Sequence, residues 1–174
     1  MYDTAEDSFL VKKHIKDYAK GTVLDLGTGS GILAVEASRY AEKVIGVDID
    51  QESVDYCNYH HKGIEFRKSD LYSDVSGKFD LIIFNPPYLP EDKDEPMDSR
   101  RATTGGKHGY EIIKDFLKQA KHHLKKDGKI LLLFSSMTNI DKVQELNDYD
   151  YKEIDRQHIF FEDLILYELQ PKSA

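Results

Sequence analysis

The stretch at residues 79–88 (FDLIIFNPPY) constrains this chain most, because an apolar run ends there abruptly in Asn-Pro-Pro-Tyr. A short apolar run of this kind is typical of a fully buried strand. Pro86 and Pro87 lack N–H groups and keep the residues before them extended, so the carbonyl groups of Asn85 and Pro86 are held stiffly. The Asn85 amide and the flat ring of Tyr88 complete a set that can hold a planar NH2 group. The alternative interpretation is a strand that ends in a proline turn.

Strands and helices alternate along the rest of the chain. Hydrophobic periodicity predicts helices over residues 7–18, 32–39, 51–59, 110–124 and 138–146, and strands over 22–26, 43–47, 64–67, 79–84, 130–134, 149–154 and 161–169. Alternation of this kind implies a doubly wound parallel sheet. We therefore expect one α/β domain over residues 1–174, with the last two strands forming an antiparallel pair.

Glycine and polar residues collect where the predicted strands end. Residues 27–31 follow the first strand, Asp48 the second, Asp70 the third and Asn85 the fourth. In open parallel sheets, ligands bind beyond the carboxyl ends of the strands. The shared position therefore predicts a single binding site along one edge of the sheet.

The glycine-rich loop has a nucleotide-binding character. Gly27, Gly29 and Gly31 allow a tight turn and a close approach of a ligand, and Asp48 can accept hydrogen bonds from ribose hydroxyls. The alternative is a packing turn followed by a solvated aspartate. A dinucleotide fingerprint needs two residues before its last glycine, whereas only Ser30 separates Gly29 from Gly31, and this spacing argues against a nicotinamide cofactor.

Composition excludes several classes of function. A net charge of −8 argues against a broad basic face for nucleic acid. The single Cys57 cannot form an internal disulfide, which fits a reducing compartment such as the cytoplasm. The histidine pairs at 60–61 and 122–123 lack the spacing of metal ligands, so we expect no metal. No apolar run approaches membrane-spanning length.

Several motifs together resemble a known family. Residues 25–31 (DLGTGSG), Asp48, the Asp70-Leu71 pair and residues 85–88 (NPPY) resemble S-adenosylmethionine-dependent methyltransferases that modify amino groups. The chain is similar, more narrowly, to HemK/PrmC-type release-factor glutamine methyltransferases in their short archaeal and eukaryotic form. Supporting segments are residues 2–9, the glycine-rich residues 105–109 and the pair Arg156-Gln157. The resemblance implies a Rossmann-like class I methyltransferase fold, with a seven-stranded mostly parallel sheet, an antiparallel C-terminal strand and helices on both faces.

The resemblance also implies residue roles in moving a methyl group from S-adenosyl-L-methionine to a glutamine amide, which leaves S-adenosyl-L-homocysteine. Asp48 would hold the ribose, while Asp70 and Leu71 would meet the adenine. The implied catalytic residues are Asn85, Pro86 and Tyr88, and the acceptor would be held by Asn85, Pro86, Pro87 and Tyr88. The implied cofactor-binding residues are Ser8, Asp25, Gly27, Thr28, Gly29, Ser30, Gly31, Asp48, Asp70, Leu71 and Asn85.

The implied partners are a peptide-chain release factor as substrate and a small zinc-ribbon activator protein at the edge strand 64–67, where Ile64 and Phe66 lie. Two rival interpretations stay open at this point. An adenine-N6 methyltransferase of nucleic acid shares the NPPY motif, although the acidic charge counts against it, and a non-catalytic subunit would share the fold. The long acidic connection at residues 89–109 is either a substrate lid or a solvated loop.

Overall fold

A seven-stranded sheet forms the centre of the computed structural model, which describes residues 6–86 and 108–173. Its strands are β1 (Thr22–Leu26), β2 (Lys43–Asp48), β3 (Glu65–Lys68), β4 (Phe79–Phe84), β5 (Leu124–Ser135), β6 (Tyr149–Ile159) and β7 (Glu162–Pro171). They lie in the order β3-β2-β1-β4-β5-β7-β6. The pairs among β1 to β5 are all parallel, and β7 is antiparallel to both of its neighbours. The predicted fold class is confirmed, including the antiparallel C-terminal strand.

Five α-helices connect or precede these strands in the described part of the chain. They are α1 (Glu6–Ile15), α2 (Ile32–Ser38), α3 (Gln51–His60), α4 (Glu111–Ala120) and α5 (Ile140–Gln144). Parallel strands joined through right-handed crossovers place helices on opposite faces when the chain moves in opposite directions across the sheet. Within residues 6–86 and 108–173, no helix is both long and apolar enough to cross a membrane.

The core is thickest around β4. Leu81, Ile82 and Ile83 are consecutive and all have no exposed area. Because successive side chains of a strand point to opposite faces, both faces of the sheet must be covered there. This continuous burial is what the apolar run in the sequence predicted.

The structure corrects the predicted elements after α4. The predicted helix over 110–124 ends at Ala120, and a 3-10 turn over Lys121–His123 leads directly into β5. That strand starts at Leu124, not at residue 130 as predicted, because Leu124 pairs with Phe79 across an irregularity in the β4–β5 ladder. A helix-like local pattern thus gives way to pairing with a distant strand.

Candidate functional site

The four strands β3, β2, β1 and β4 are neighbours, so their carboxyl ends form one continuous edge. This edge carries Asp70, Asp48, the loop at residues 27–31 and Asn85, in that spatial order. The sheet therefore brings together the features that the sequence placed at strand ends. We call this edge the site edge.

The glycine loop needs its glycines for two different reasons. Gly27, Gly29 and Gly31 have φ values of 74°, 54° and 84°, in the left-handed region that side chains rarely adopt. A Cβ on Gly31 would meet the His61 ring at 2.8 Å and the Cys57 sulfur at 3.0 Å, so this glycine permits packing against α3. A Cβ on Gly29 would meet nothing within 4 Å. The open side of Gly29 is therefore where a ligand can approach the backbone.

Two contacts support this loop on the side opposite its open face, one from Cys57 in α3 and one from His61 just after that helix. The Cys57 thiol donates to the carbonyl oxygen of Gly29 over 3.2 Å, and the Nε2 atom of His61 lies 2.9 Å from the carbonyl oxygen of Ser30. Burial raises the pKa of the Cys57 thiol to about 12, so the sulfur acts as a weak donor rather than a nucleophile. The loop is thus supported on the side away from its open face.

Asp25 and Thr28 fasten the loop to the start of α2. The Asp25 carboxylate accepts a hydrogen bond from the Thr28 hydroxyl at 2.7 Å and another from the Ala34 N–H at 3.1 Å. Both side chains are buried. Burial raises the pKa of Asp25 to about 7, the two hydrogen bonds oppose that rise, and the charge of Asp48 adds to it. These side chains point into the loop, and their assignment to cofactor binding stays a prediction.

Asp48 connects the loops that follow β1 and β2. One carboxylate oxygen accepts from the Gly29 N–H and the other from the Asp50 N–H, each at 2.9 Å. Burial raises the pKa of Asp48, although these backbone hydrogen bonds oppose the rise. A carboxylate oxygen has a second lone pair, so the half-buried Asp48 can still accept hydrogen bonds from a diol.

Ile49 is a candidate that sequence reasoning missed. Its side chain is 59% exposed, although it lies directly between Asp48 and Asp50 at the site edge. A large apolar side chain in such a position can cover the face of a planar base. The available signal was the appearance of isoleucine immediately after a strand-ending aspartate, where a polar residue is the usual choice.

The two predicted adenine-binding residues follow the neighbouring strand β3. Asp70 is exposed, and Leu71 is half-buried with a φ of 48°.

The acceptor side of the site edge is built around Asn85. Its amide nitrogen donates to the Ser8 hydroxyl oxygen over 3.5 Å and to the Asp7 carboxylate. Its amide oxygen is buried and has no hydrogen-bond partner among the described residues. An unpaired buried acceptor costs about 1–3 kcal/mol, which makes it informative when a fold retains one.

Asp7 is the second candidate that sequence reasoning missed. Its side chain is only 5% exposed, and it accepts from the Ser8 N–H at 2.7 Å as well as from Asn85. Burial raises the pKa of its carboxyl group, and these hydrogen bonds oppose the rise. The signal was available: Asp7 precedes the buried Leu10 and Val11 by three and four residues, so it lies on the apolar face of α1.

Several predicted residues lie outside the described part of the chain. They are Pro87, Tyr88, residues 2–5 of the N-terminal segment, residues 89–107 of the acidic connection, and with them the first part of the glycine-rich segment. Pro86 is described and is buried at the end of the Asn85 turn. Within residues 6–86 and 108–173, no three or more His, Cys, Asp or Glu side chains are placed to hold a metal ion.

The sheet order and the antiparallel C-terminal strand are those of a Rossmann-like class I methyltransferase fold, and the glycine loop, Asp48 and Asn85 lie at the carboxyl ends of its strands, where such sheets bind ligands. The chain belongs to the methyltransferase small-domain family, and the match to that family spans residues 3–157. Within this family, the chain is a methyltransferase of the HemK/PrmC-type glutamine-modifying group, as its similarity to individual proteins shows.

A candidate protein N5-glutamine methyltransferase of Methanocaldococcus jannaschii is 39% identical over 95% of this chain and 89% of its own length. The release factor glutamine methyltransferase of Streptococcus pneumoniae is 32% identical over 64% of this chain. The chain spans 44% of that bacterial relative. Among solved structures, the Mtq2–Trm112 complex of E. cuniculi, which methylates the termination factor eRF1, has a TM-score of 0.79 at 22% identity, with 98% of both chains covered. This last likeness shows the fold.

Proposed function

We propose that the protein transfers a methyl group from S-adenosylmethionine to the side-chain amide of a glutamine in a peptide-chain release factor. The observation that carries the proposal is the amide oxygen of Asn85, which is buried without a partner at the acceptor side of the site edge. An N–H of a substrate amide would satisfy it. The names of the relatives from M. jannaschii and S. pneumoniae support glutamine as the acceptor.

The residues along the donor side fit S-adenosylmethionine. The open side of Gly29 leaves room that a Cβ would take up, and the Asp48 carboxylate lies beside it through its bond to the Gly29 N–H. The exposed Ile49 offers an apolar surface to the adenine ring, and the exposed Asp70 offers an acceptor to its amino group. When bound, S-adenosylmethionine supplies an electrophilic methyl group on a sulfonium.

Asn85 would prepare the acceptor nitrogen. An amide nitrogen is a poor nucleophile because its lone pair is delocalised, so orientation has to supply much of the rate enhancement, up to about 7–11 kcal/mol in favourable cases. If the Asn85 oxygen and the Pro86 carbonyl accept the two N–H groups, the lone pair is directed away from them toward the methyl group. The same oxygens stabilise the positive charge that develops on nitrogen. The nitrogen loses one proton to water after the transfer, so no strong base is required.

Asp7 and Ser8 would set the orientation of the Asn85 amide. A carboxylate can only accept hydrogen bonds, so the group that faces Asp7 must be the NH2 of Asn85. The oxygen of Asn85 is then left for the substrate. In this arrangement Ser8 supports Asn85 directly, in addition to its predicted place among the cofactor-binding residues.

The sheet has an edge at β3 where a zinc-ribbon activator could add a strand. Mtq2, a protein of this fold, forms a complex with Trm112, and this complex supports the proposal of a partner. Phe66 is buried in this protein's own core, so it does not offer a side chain to a partner. Ile64 is partly buried and precedes the strand, and it remains the side chain to test. We place the enzyme in the cytoplasm, where release factors act.

Mass spectrometry of candidate release factors tests the proposed function. The purified enzyme is incubated with each factor and S-adenosylmethionine, and the digested factor is searched for one added methyl group on a glutamine. We expect a single modified glutamine in one factor. Binding of S-adenosylmethionine without transfer to any protein would contradict the proposal and favour a non-catalytic role.

A further inference from the structure

The turn between β6 and β7 exposes two adjacent aromatic residues. Phe160 and Phe161 form a two-residue connection between the paired residues Ile159 and Glu162. Their side chains are 94% and 83% exposed, the two largest exposures among the large hydrophobic residues of the described chain. Exposed single apolar residues are common, whereas two neighbouring phenylalanines at a projecting tip are not.

Phe160 is also in an unfavourable backbone conformation. Its φ of 49° lies in the left-handed region, where a bulky residue is an outlier and where tight hairpins normally use asparagine or glycine. Neither the backbone strain nor the exposed ring stabilises the fold. Strained residues of this kind persist where function uses them.

The tip lies beyond the same end of the sheet as the site edge. Because β7 is antiparallel to both β5 and β6, strand β6 runs in the same direction as β4, and both strands end on this side of the sheet. Tyr167 lies level with Phe84 through Leu132, and Phe161 is six residues nearer the tip. At roughly 3.3 Å per residue, the hairpin extends about 20 Å beyond the end of β4. The lateral distance from β4 to β6 is three strand spacings, or about 14 Å.

A chain of contacts connects Asn85 to the base of the tip. Asn85 bonds to Asp7 in α1, and the neighbouring Glu6 accepts from the amide of Gln157 in β6 at 3.4 Å. The segment after β5 also contacts the base of the tip, because Ser136 donates its N–H to the carbonyl oxygen of Asp163 at 2.8 Å. The next residue in that segment, Met137, is 46% exposed.

We propose that Met137, Phe160 and Phe161, here called the hairpin patch, form a docking surface for the folded domain that carries the methylated glutamine. This inference rests on the proposed function. A standard protein interface covers about 800 Å² per partner, or roughly 30 Å across, so a folded substrate whose interface has Asn85 near one side would span the roughly 24 Å to the hairpin patch. The patch is thus continuous with the surface that the acceptor must occupy. The chain's net charge of −8 favours a partner with basic residues around its apolar contact.

The test compares two substrates that differ only in their reach. One is the full-length release factor, and the other is a five-residue peptide centred on the same glutamine. Such a peptide extends about 7 Å on each side, so it cannot reach the tip. For the double variant Phe160→Ser/Phe161→Ser, we expect kcat/KM on the full-length factor to fall about 10- to 100-fold, as for interface aromatic residues elsewhere. Activity on the peptide should stay within about twofold, an expectation that follows from the same estimate of reach.

Two further variants control for misfolding. Tyr59→Ser removes an aromatic ring that is 76% exposed near the end of α3, which runs away from the site edge, and it should leave both substrates unaffected. Phe160→Gly removes the ring and the strained φ together. It should raise Tm by about 2–4 °C while lowering kcat/KM on the full-length factor, since relief of strain stabilises the fold. A loss of substrate binding with a gain in stability cannot come from unfolding.

The outcomes separate the two hypotheses. Suppose that the wild-type enzyme methylates both substrates. If the Phe160/Phe161 variant then loses the same share of activity on both, or loses no activity on either, the proposed docking role is wrong and the proposed function stands. If the wild-type enzyme methylates neither substrate, the proposed function fails and the inference fails with it. If sedimentation shows that the wild-type protein is a dimer and the variant a monomer, while kcat/KM is unchanged, the patch contacts a second copy of this chain instead. That result would overturn the docking proposal.

Discussion

The site edge has a donor half, formed by the glycine loop, Asp48 and Asp70, and an acceptor half around Asn85. The two halves satisfy their polar groups in different ways. On the donor half, the Asp48 carboxylate accepts two backbone N–H bonds and Asp25 accepts from Thr28 and Ala34, so the loop is held by its own contacts. On the acceptor half, Asn85 keeps a buried oxygen unpaired, and the β6–β7 hairpin at the same end of the sheet exposes two phenylalanines. The polar groups of the glycine loop are already paired within the fold, whereas the acceptor half keeps a buried oxygen that a substrate amide can pair with.

This difference fits the chemistry of the two ligands. A small cofactor needs a rigid site, and closed hydrogen-bond networks supply rigidity. A protein substrate brings its own hydrogen-bonding groups and apolar surface, so the receiving half must keep unsatisfied groups ready.

Asp25 should make the stability of the donor half depend on pH. Its folded-state pKa of about 7 lies above the ordinary 3.8, so the folded protein holds the proton more tightly than the unfolded chain. Its contribution to the free energy of unfolding should therefore fall as pH rises from about 4 to about 7, by up to about 4 kcal/mol. Asp25→Asn keeps an acceptor for Thr28 and Ala34 and should remove this dependence. Thermal unfolding at pH 5 and pH 8 measures it; the same pH slope in both proteins would show that Asp25 does not cause it.

Asn85→Ala should separate transfer from cofactor binding. Removal of the amide takes away one preorganised acceptor, and by analogy with loss of an oxyanion-hole donor, kcat should fall about 10²–10³-fold. The affinity for S-adenosylmethionine should change little, since Asp48 and the glycine loop lie on the other half. Single-turnover kinetics and calorimetric titration measure the two quantities. Near wild-type transfer would remove Asn85 from the mechanism.

Asp48→Ala should have the opposite pattern. Loss of the carboxylate should weaken the binding of S-adenosylmethionine by about 1–3 kcal/mol, because a ribose hydroxyl and the Gly29 N–H both lose an acceptor. Asp55→Ala is a matched control, since Asp55 lies on α3, where its carboxylate accepts a hydrogen bond from the Gln51 amide at 2.8 Å. Calorimetric titration checks both variants. An Asp48→Ala protein that is folded and binds the cofactor normally would show that the ribose is elsewhere.

Asp7→Asn tests the orientation of the acceptor amide with a smaller expected effect. An asparagine at this position can donate a hydrogen bond from its own NH2 group. The Asn85 amide can then rotate so that its oxygen faces residue 7 and no longer faces the acceptor. We expect kcat to fall about 10-fold, the size of one hydrogen bond, with cofactor affinity unchanged. Asp17→Asn changes an exposed aspartate just beyond α1 and serves as the control. If Asp7→Asn weakened cofactor binding with kcat intact, Asp7 would belong to the donor half.

The fold was largely predictable because its signals are local. The strands β1 and β4 have the bounds that their apolar runs predicted, and the glycine loop and the two aspartates lie where strands end. The start of β5 was missed because pairing of Leu124 with Phe79 overrides the helical pattern. The contact of Ser8 with Asn85 joins residues 77 apart, and no local pattern reports such a distance. The position of Asp7 on the apolar face of α1 was readable from the sequence, but its contact with Asn85 depends on the packing of α1 against the end of β4.

The central claim is that the acceptor half receives a glutamine amide. The most direct measurement is transfer of a radiolabelled methyl group by the wild-type enzyme to two acceptors in parallel, a release-factor peptide containing Gly-Gly-Gln and an adenine-containing oligonucleotide. We expect label on the peptide, none on the oligonucleotide, and loss of the peptide label in a variant of that peptide with Gln replaced by Glu. Label on the oligonucleotide alone would contradict the account and make the protein an adenine methyltransferase.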